Sequence, residues 1–196
     1  MTRAYIIAAG GANYGSLIEA CRRIGVDAEL GDDPAHIAAA THVVLPGVGA
    51  AGHAMRSLRE RGLDTALRDV SQPLLGICLG MQLLFERSDE DDAEGLGLLP
   101  GDVKRLPAAP SWPHMGWNTL DRRAPHALLD GIDEDDWFYF VHGYAAPAGD
   151  TTLAQTRHGD AFAAVVARGN VHGVQFHPEK SAAAGRRLLA NFFALG

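Results

Sequence analysis

The sequence has 196 residues, 47% hydrophobic and 21% charged, the balance of a chain that buries a full core rather than of a disordered one. Seventeen Lys and Arg against 24 Asp and Glu give a formal net charge of −7; such a surface repels nucleic acid and anionic lipid, and no run of about 18 apolar residues offers a membrane span. Two cysteines, Cys21 and Cys78, cannot make a secreted disulfide framework, and MTRAYIIAAGG is too short and Gly-rich for a signal peptide, so the expectation is a cytoplasmic protein with free thiols.

Ala4–Ala9 reads as a buried strand and Tyr14–Ile24 as a helix. Val26–Leu30 is a second strand, followed by a short helix from about Pro34. His42–Leu45 is a strand that ends at the breaker Pro46-Gly47. The stretch Gly52–Val70 is helical and broken near Gly62. Pro73–Ile77 is a strand and Leu79–Phe85 a helix. Apolar strands alternating with helices predict βαβ units and a mostly parallel sheet covered on both faces. After an acidic loop, Ser88–Glu94, the pieces become shorter and more β-like: Val103–Leu106, Gly116–Leu120, Trp137–Tyr144, Thr152–Thr156, Ala161–Ala167 and Val171–Phe176. Their close spacing predicts antiparallel strands added to that sheet. A last helix, Ser181–Ala194, carries Leu188, Leu189, Phe192 and Phe193 at helical spacing. No repeat or linker divides the chain, so 1–196 reads as one α/β domain.

The segment LLGICLGMQLLF (74–85) carries the most chemistry. A buried strand runs through Gly76-Ile77-Cys78-Leu79-Gly80 straight into a helix, which is a G-x-nucleophile-x-G elbow with Cys in place of Ser. The flanking glycines suit a tight, strained turn. The elbow lifts the Cys78 sulfur above the carboxyl end of a strand, at a helix N-terminus that favours a thiolate and can hold an oxyanion. Cys21, in EACRRIG, has no such setting and reads as a small structural helix residue. A cysteine nucleophile needs a base, and the base an orienting group. GVQFHPEKS (173–181) supplies both: His177 follows an apolar strand, Pro178 ends it, and Glu179 lies where it can fix the imidazole tautomer. No H-E-x-x-H and no zinc-spaced Cys pair occurs, so neither a metal nor another cofactor is expected.

The elbow and the H-P-E turn resemble the class I glutamine amidotransferases, α/β proteins of flavodoxin-like topology with a Cys-His-Glu triad. LPGVGAAGHAM (45–55) resembles their oxyanion strand. PHMGWN (113–118), FYFVHGY (138–144) and GVQFHPEKS followed by Gly185 and LLANF (188–192) resemble the glutaminase subunits of imidazole glycerol phosphate synthase. The likeness runs over nearly the whole chain. The elbow and H-P-E alone would equally fit another class I subunit, such as that of anthranilate synthase; PHMGWN and Lys180 favour the first. An intact Cys78, His177 and Glu179 argue against a catalytically silent binding subunit.

The resemblance implies that Cys78 attacks the side-chain amide of glutamine, that His177 moves the proton and that Glu179 orients His177. It implies an oxyanion hole of backbone N–H groups from Leu79 and from Val48 and Gly49, in a strand thought to need a peptide flip before its N–H points inward. It assigns glutamine binding to Gly49, Gln82, Glu90, His142, Gly143 and Tyr144, with Glu90 suited to the α-amino group. It also implies a heterodimer with a (β/α)₈-barrel cyclase that receives the ammonia and forms imidazole glycerol phosphate and AICAR, with Asn13, Trp117, Tyr139 and Lys180 facing that barrel. Two departures stand out. The N-terminal loop reads AAGGANYGS, where many relatives carry an acidic or aromatic residue before the glycines. Gly143 replaces a hydroxyl residue often found after the His of FVH.

Overall fold

A strand that is apolar at nearly every position has both faces covered; the inner strands of the first half are of this kind, while Asp27–Gly31 lies at the sheet edge and stays open. In the computed structural model, which describes residues 2–11, 13–107 and 111–196, the order begins β1 (Arg3–Ile7), α1 (Tyr14–Arg23), β2 (Asp27–Gly31), α2 (Pro34–Ala39) and β3 (His42–Gly47). Then come α3 (Ala51–Glu60), α4 (Leu63–Arg68), β4 (Leu74–Cys78) and α5 (Leu79–Leu83). The expected break between α3 and α4 falls at Gly62, whose φ of 69° is left-handed. In the second half the strands are β5 (Arg87–Ser88), β6 (Ala93–Glu94), β7 (Asp102–Arg105), β8 (His114–Asn118) and β9 (Asp121–Arg122). They continue with β10 (Phe138–His142), β11 (Tyr144–Ala145), β12 (Thr152–His158), β13 (Asp160–Arg168) and β14 (Val171–Val174), and α6 (Ala182–Phe193) follows.

The main sheet has eight strands in the order β2-β1-β3-β4-β14-β13-β12-β9. The pairs from β2 to β14 are parallel; those from β14 to β9 are antiparallel. Alternate residues of each central strand serve opposite faces. Ile6, Val44 and Leu75 pack in one cluster with Leu17 of α1 and Leu188 of α6. Tyr5, Val43 and Leu74 pack in the other with Met55, Leu58 and Leu63 of α3 and α4.

Three details differ from the sequence expectation. β3 does not stop before Pro46-Gly47: Pro46 pairs with Ile77 and Gly47 with Cys78. Pairing to β1 has already ended at Val44, so the missing proline N–H costs no ladder bond on that side. Next, not every later strand joins the main sheet. β8 and β10 form a two-stranded sheet, and β11-β7-β5-β6 a four-stranded one. β8 and β10 alternate buried with more open positions, which leaves one face of each free of the central layer, and β5, β6 and β11 span only two residues each. The acidic segment, finally, is not an open loop. β5, a 3-10 turn over Glu90–Asp92 and β6 fold it back on itself, and Lys104 reaches Asp89 and Asp102, each at 3.1 Å.

Candidate active site

Cys78 closes β4 with φ 54° and ψ −111°, a conformation that L residues avoid and that marks a strained elbow. Both flanking glycines are required by close backbone approach. A Cβ on Gly76 would sit 2.7 Å from the Gly80 carbonyl oxygen and the Met81 backbone, and one on Gly80 would run into the Leu45 carbonyl oxygen of β3. Bare backbone is therefore what lets α5 turn back over the sheet. The thiol is 6% exposed; its sulfur lies 3.7 Å from the Val141 carbonyl oxygen and 3.8 Å from Gln175 Nε2. Cys21, by contrast, sits fully buried in α1, and burial pushes its thiol up to about 12.

His177 follows β14, and Pro178 opens a 3-10 turn that folds Glu179 back onto the ring. Nδ1–H donates to Glu179 Oε1 at 2.9 Å, with both side chains almost wholly buried. The backbone is held equally firmly. The His177 N–H donates to the Tyr139 carbonyl at 2.9 Å. Ser181 Oγ–H donates to the His177 carbonyl at 2.7 Å, and the same oxygen accepts the Tyr139 N–H at 3.0 Å. Nε2 is buried with no hydrogen-bond partner. Burial opposes a charged imidazole, yet Cys78 and Glu179 beside it both favour one, and the balance lifts His177 to about 10. The thiol is thus near enough to act electrostatically while Nε2 stands outside hydrogen-bonding geometry; catalytic contacts often tighten only with ligand bound.

A cleft of ≈ 270 Å³ opens at Cys78 and His177, with Gly49, Gln82, Glu90, His142, Gly143 and Tyr144 in its walls together with Val48 and Leu79. Residues from Val48 to His177, far apart in the chain, thus meet in one amino-acid-sized space. Gln82 commits its amide protons to the Tyr144 carbonyl at 2.7 Å and Gln175 Oε1 at 3.1 Å, so it can offer a ligand only its carbonyl oxygen. His142 donates from Nδ1 to the Tyr144 carbonyl at 2.8 Å, which makes Nε2 the acceptor for His114 Nδ1–H at 3.2 Å. Burial pushes His142 down to about 3, so it is a neutral hydrogen-bonding group. Glu90 accepts the Ala51 N–H at 2.9 Å at the start of α3 and keeps one carboxylate oxygen uncommitted; burial raises its pKa.

Leu79 begins α5, so its N–H has no intrahelical partner. The Val48 N–H donates to the Gly11 carbonyl at 3.0 Å, so turning it into the cleft requires rotation of that peptide. Gly49 beside it has φ 94°, so only glycine suits this end of the strand. Ala12, in the glycine loop that holds Gly11, lies outside the described residues. Asn13 caps α1, its Oδ1 accepting the Ser16 N–H at 3.2 Å. Asn13 and Lys180 also line a small hollow with Val48, His177 and Glu179. Trp117 is 49% exposed, which removes it from the core. It pairs across the β8–β10 ladder with Tyr139, rings edge to face at 5.8 Å, and Lys180 Nζ lies 5.8 Å from the Tyr139 ring centre.

The family model for glutamine amidotransferase class-I matches residues 6–195.

The chain belongs to the class I glutamine amidotransferases.

It is 53% identical to imidazole glycerol phosphate synthase subunit HisH of Xanthomonas axonopodis pv. citri, over 100% of this chain and 98% of that protein. To the subunit named HisH 1 of Vibrio vulnificus it is 46% identical, over 97% of each. Among solved structures, a crystal structure of a glutamine amidotransferase superposes with TM-score 0.76 at 23% identity, covering 96% of both chains. A glutamine amidotransferase of Thermotoga maritima gives 0.65 at 18% identity, covering 96% of this chain and 80% of that one. Both share the amidotransferase fold: a large, mostly parallel sheet flanked by helices. Among the described residues of this chain, no helix is long and apolar enough to cross a membrane.

Three residues in contact with Cys78 or the His177 turn escaped the sequence reading: Val141, Gln175 and Ser181. Val141 presents only its carbonyl, which no residue type announces. Gln175 and Ser181 did leave a signal. Each is a polar side chain wholly buried in an apolar setting, and such a group is kept only when something bonds to it.

Proposed function

We propose that this chain is the glutaminase subunit of imidazole glycerol phosphate synthase, one catalytic domain that works in the cytoplasm beside a (β/α)₈-barrel cyclase. The observation that carries the reading is the Cys78 elbow facing a His177 already tied to Glu179. The full-length likeness to HisH subunits supports that choice over other class I subunits.

His177, whose raised pKa keeps it protonated, already holds the proton it shares with Cys78 on Nε2, so in the first step Cys78 Sγ is free to attack the carboxamide carbon of glutamine. Glu179 stabilises the imidazolium and keeps Nε2 turned to the sulfur. The tetrahedral oxyanion takes the Leu79 N–H together with an N–H from the Val48–Gly49 segment. That second donor requires rotation of a peptide and loss of the Val48–Gly11 bond. Collapse expels ammonia, protonated from His177, and leaves a glutamyl thioester. Water, deprotonated by the now neutral His177, cleaves the thioester, so glutamate leaves and the Cys78–His177 pair returns to its starting state with the proton on His177. Glu90 binds the α-amino group of glutamine. Gln82, through its carbonyl oxygen, and the backbone of Gly49 and of His142–Tyr144 hold the rest. Ammonia passes to the cyclase rather than to bulk water, where it would be protonated and lost as a nucleophile.

The test is a paired assay of the complex with the cyclase and its ribonucleotide. Cys78→Ala abolishes glutamine-dependent product while synthesis from added ammonium continues. Glutamine hydrolysis that survives the substitution removes Cys78 from the role, and activation by another synthase partner instead of the cyclase moves the chain to a different class I subunit.

A further inference from the structure

Gly143, singled out in the sequence for lacking a side chain beside His142, meets one particular neighbour. A Cβ built there would lie 2.6 Å from Trp112 Cζ2, 2.9 Å from Cε2 and 3.1 Å from Nε1. All three nearest atoms belong to Trp112, and the backbone of Gly143 is not left-handed, so the indole alone excludes a side chain. The contact is also polar: Trp112 Nε1–H donates to the Gly143 carbonyl at 3.0 Å, and the Leu106 N–H donates to the same oxygen at 2.9 Å. The ring is braced from elsewhere, with the Arg105 guanidinium 4.5 Å from its centre and the Tyr144 ring edge-on at 6.4 Å.

The two donors fix a peptide plane. A trans peptide points its N–H opposite to its C=O. With the Gly143 carbonyl drawn to Leu106 and Trp112, the Tyr144 N–H faces the other way. That is the side on which Gln82 and His142 reach the Tyr144 carbonyl, the cleft side. We propose that Trp112 is a positioning residue of the glutamine site: its indole takes the place of a side chain at Gly143 and locks the Gly143–Tyr144 peptide with its N–H toward the bound amino acid. The proposal rests on the cleft taking glutamine. It acts on ground-state binding, remote from the sulfur, so it predicts a change in KM rather than in kcat.

The experiment uses the complex with the cyclase and follows glutaminase kinetics. Trp112→Ala raises KM for glutamine about fivefold to tenfold, the loss expected for one hydrogen bond and its packing, with kcat within about twofold. Trp112→Phe, which keeps a ring but no N–H, falls between. Gly143→Ser in the presence of Trp112 raises KM by more than tenfold, whereas Gly143→Ser in the Trp112→Ala background is no worse than Trp112→Ala alone. Iodoacetamide labels Cys78 at the wild-type rate in every Trp112 variant, as it would not if the fold had collapsed. Unchanged KM in Trp112→Ala, or additive effects in the double variant, overturns the proposal while normal wild-type turnover leaves the cleft's function standing. A wild-type complex that hydrolyses no glutamine overturns both.

Discussion

His177 is buried between a thiol and a carboxylate, and its proton is shared business with both. Its ordinary pKa is 6.5 and the folded environment lifts it to about 10. Between those values the folded chain holds a proton that the unfolded chain has released, so its stabilising contribution is complete below pH 6.5 and disappears as the pH rises to about 10. His177→Ala therefore lowers stability most near pH 6, and the gap to wild type narrows toward pH 10. Urea denaturation across that range measures it; a gap constant with pH would assign the effect to packing alone. Cys78, His177 and Glu179 were legible in the sequence because each lies in a short motif whose spacing is covalent. Gln175 was not, because its partner Gln82 stands 93 residues away and only the fold brings the two amides together. The direction of the Val48 N–H was equally hidden, since a peptide's orientation leaves no mark on residue identity.

The elbow and the strands around it behave as elements whose glycines are structural parts. Gly80→Ala places a methyl group against the Leu45 carbonyl of β3, backbone that no rotamer change can move aside. The expected loss is about 3 kcal/mol or more. Gly15→Ala in α1, where the added Cβ meets nothing within 4 Å, should instead gain about 0.5 kcal/mol. Thermal or chemical unfolding of the two variants side by side checks the contrast, and equal behaviour would refute the close approach. Most elements of the parallel half were legible because short apolar runs bounded by Gly and Pro alternate with segments of helical periodicity. The second half was legible as strands but not as sheets. His114–Asn118 and Phe138–His142 alternate buried with more open positions, a pattern that fixes which face is inward and says nothing of which sheet receives it.

On the scale of the whole molecule, the net charge of −7 is an average that hides one face of different character. Trp117 at 49% exposed and Met115 at 64% lie on the same short sheet as Tyr139, with Lys180 close by. Exposed aromatics grouped with a cation mark an interface more than a solvated surface. Trp117→Ala should weaken association with the cyclase at least tenfold, about 1.4 kcal/mol, as read by calorimetric titration, and unchanged affinity would take Trp117 out of the contact. The same ladder ties that face to the site, because β10 holds the His177 turn through Tyr139 and Ser181. At the centre, a Cβ on Gly47 would stand only 3.0 Å from the Gly80 N–H nitrogen and the Leu79 Cβ, while Gly80 lies against Leu45. The end of β3 and the first turn of α5 therefore meet with no Gly47 or Gly80 side chain between them. Such a joint has almost no mechanical play. Any adjustment at the end of β3 must come from spinning single peptides about the chain axis, because the strand as a whole has nowhere to slide.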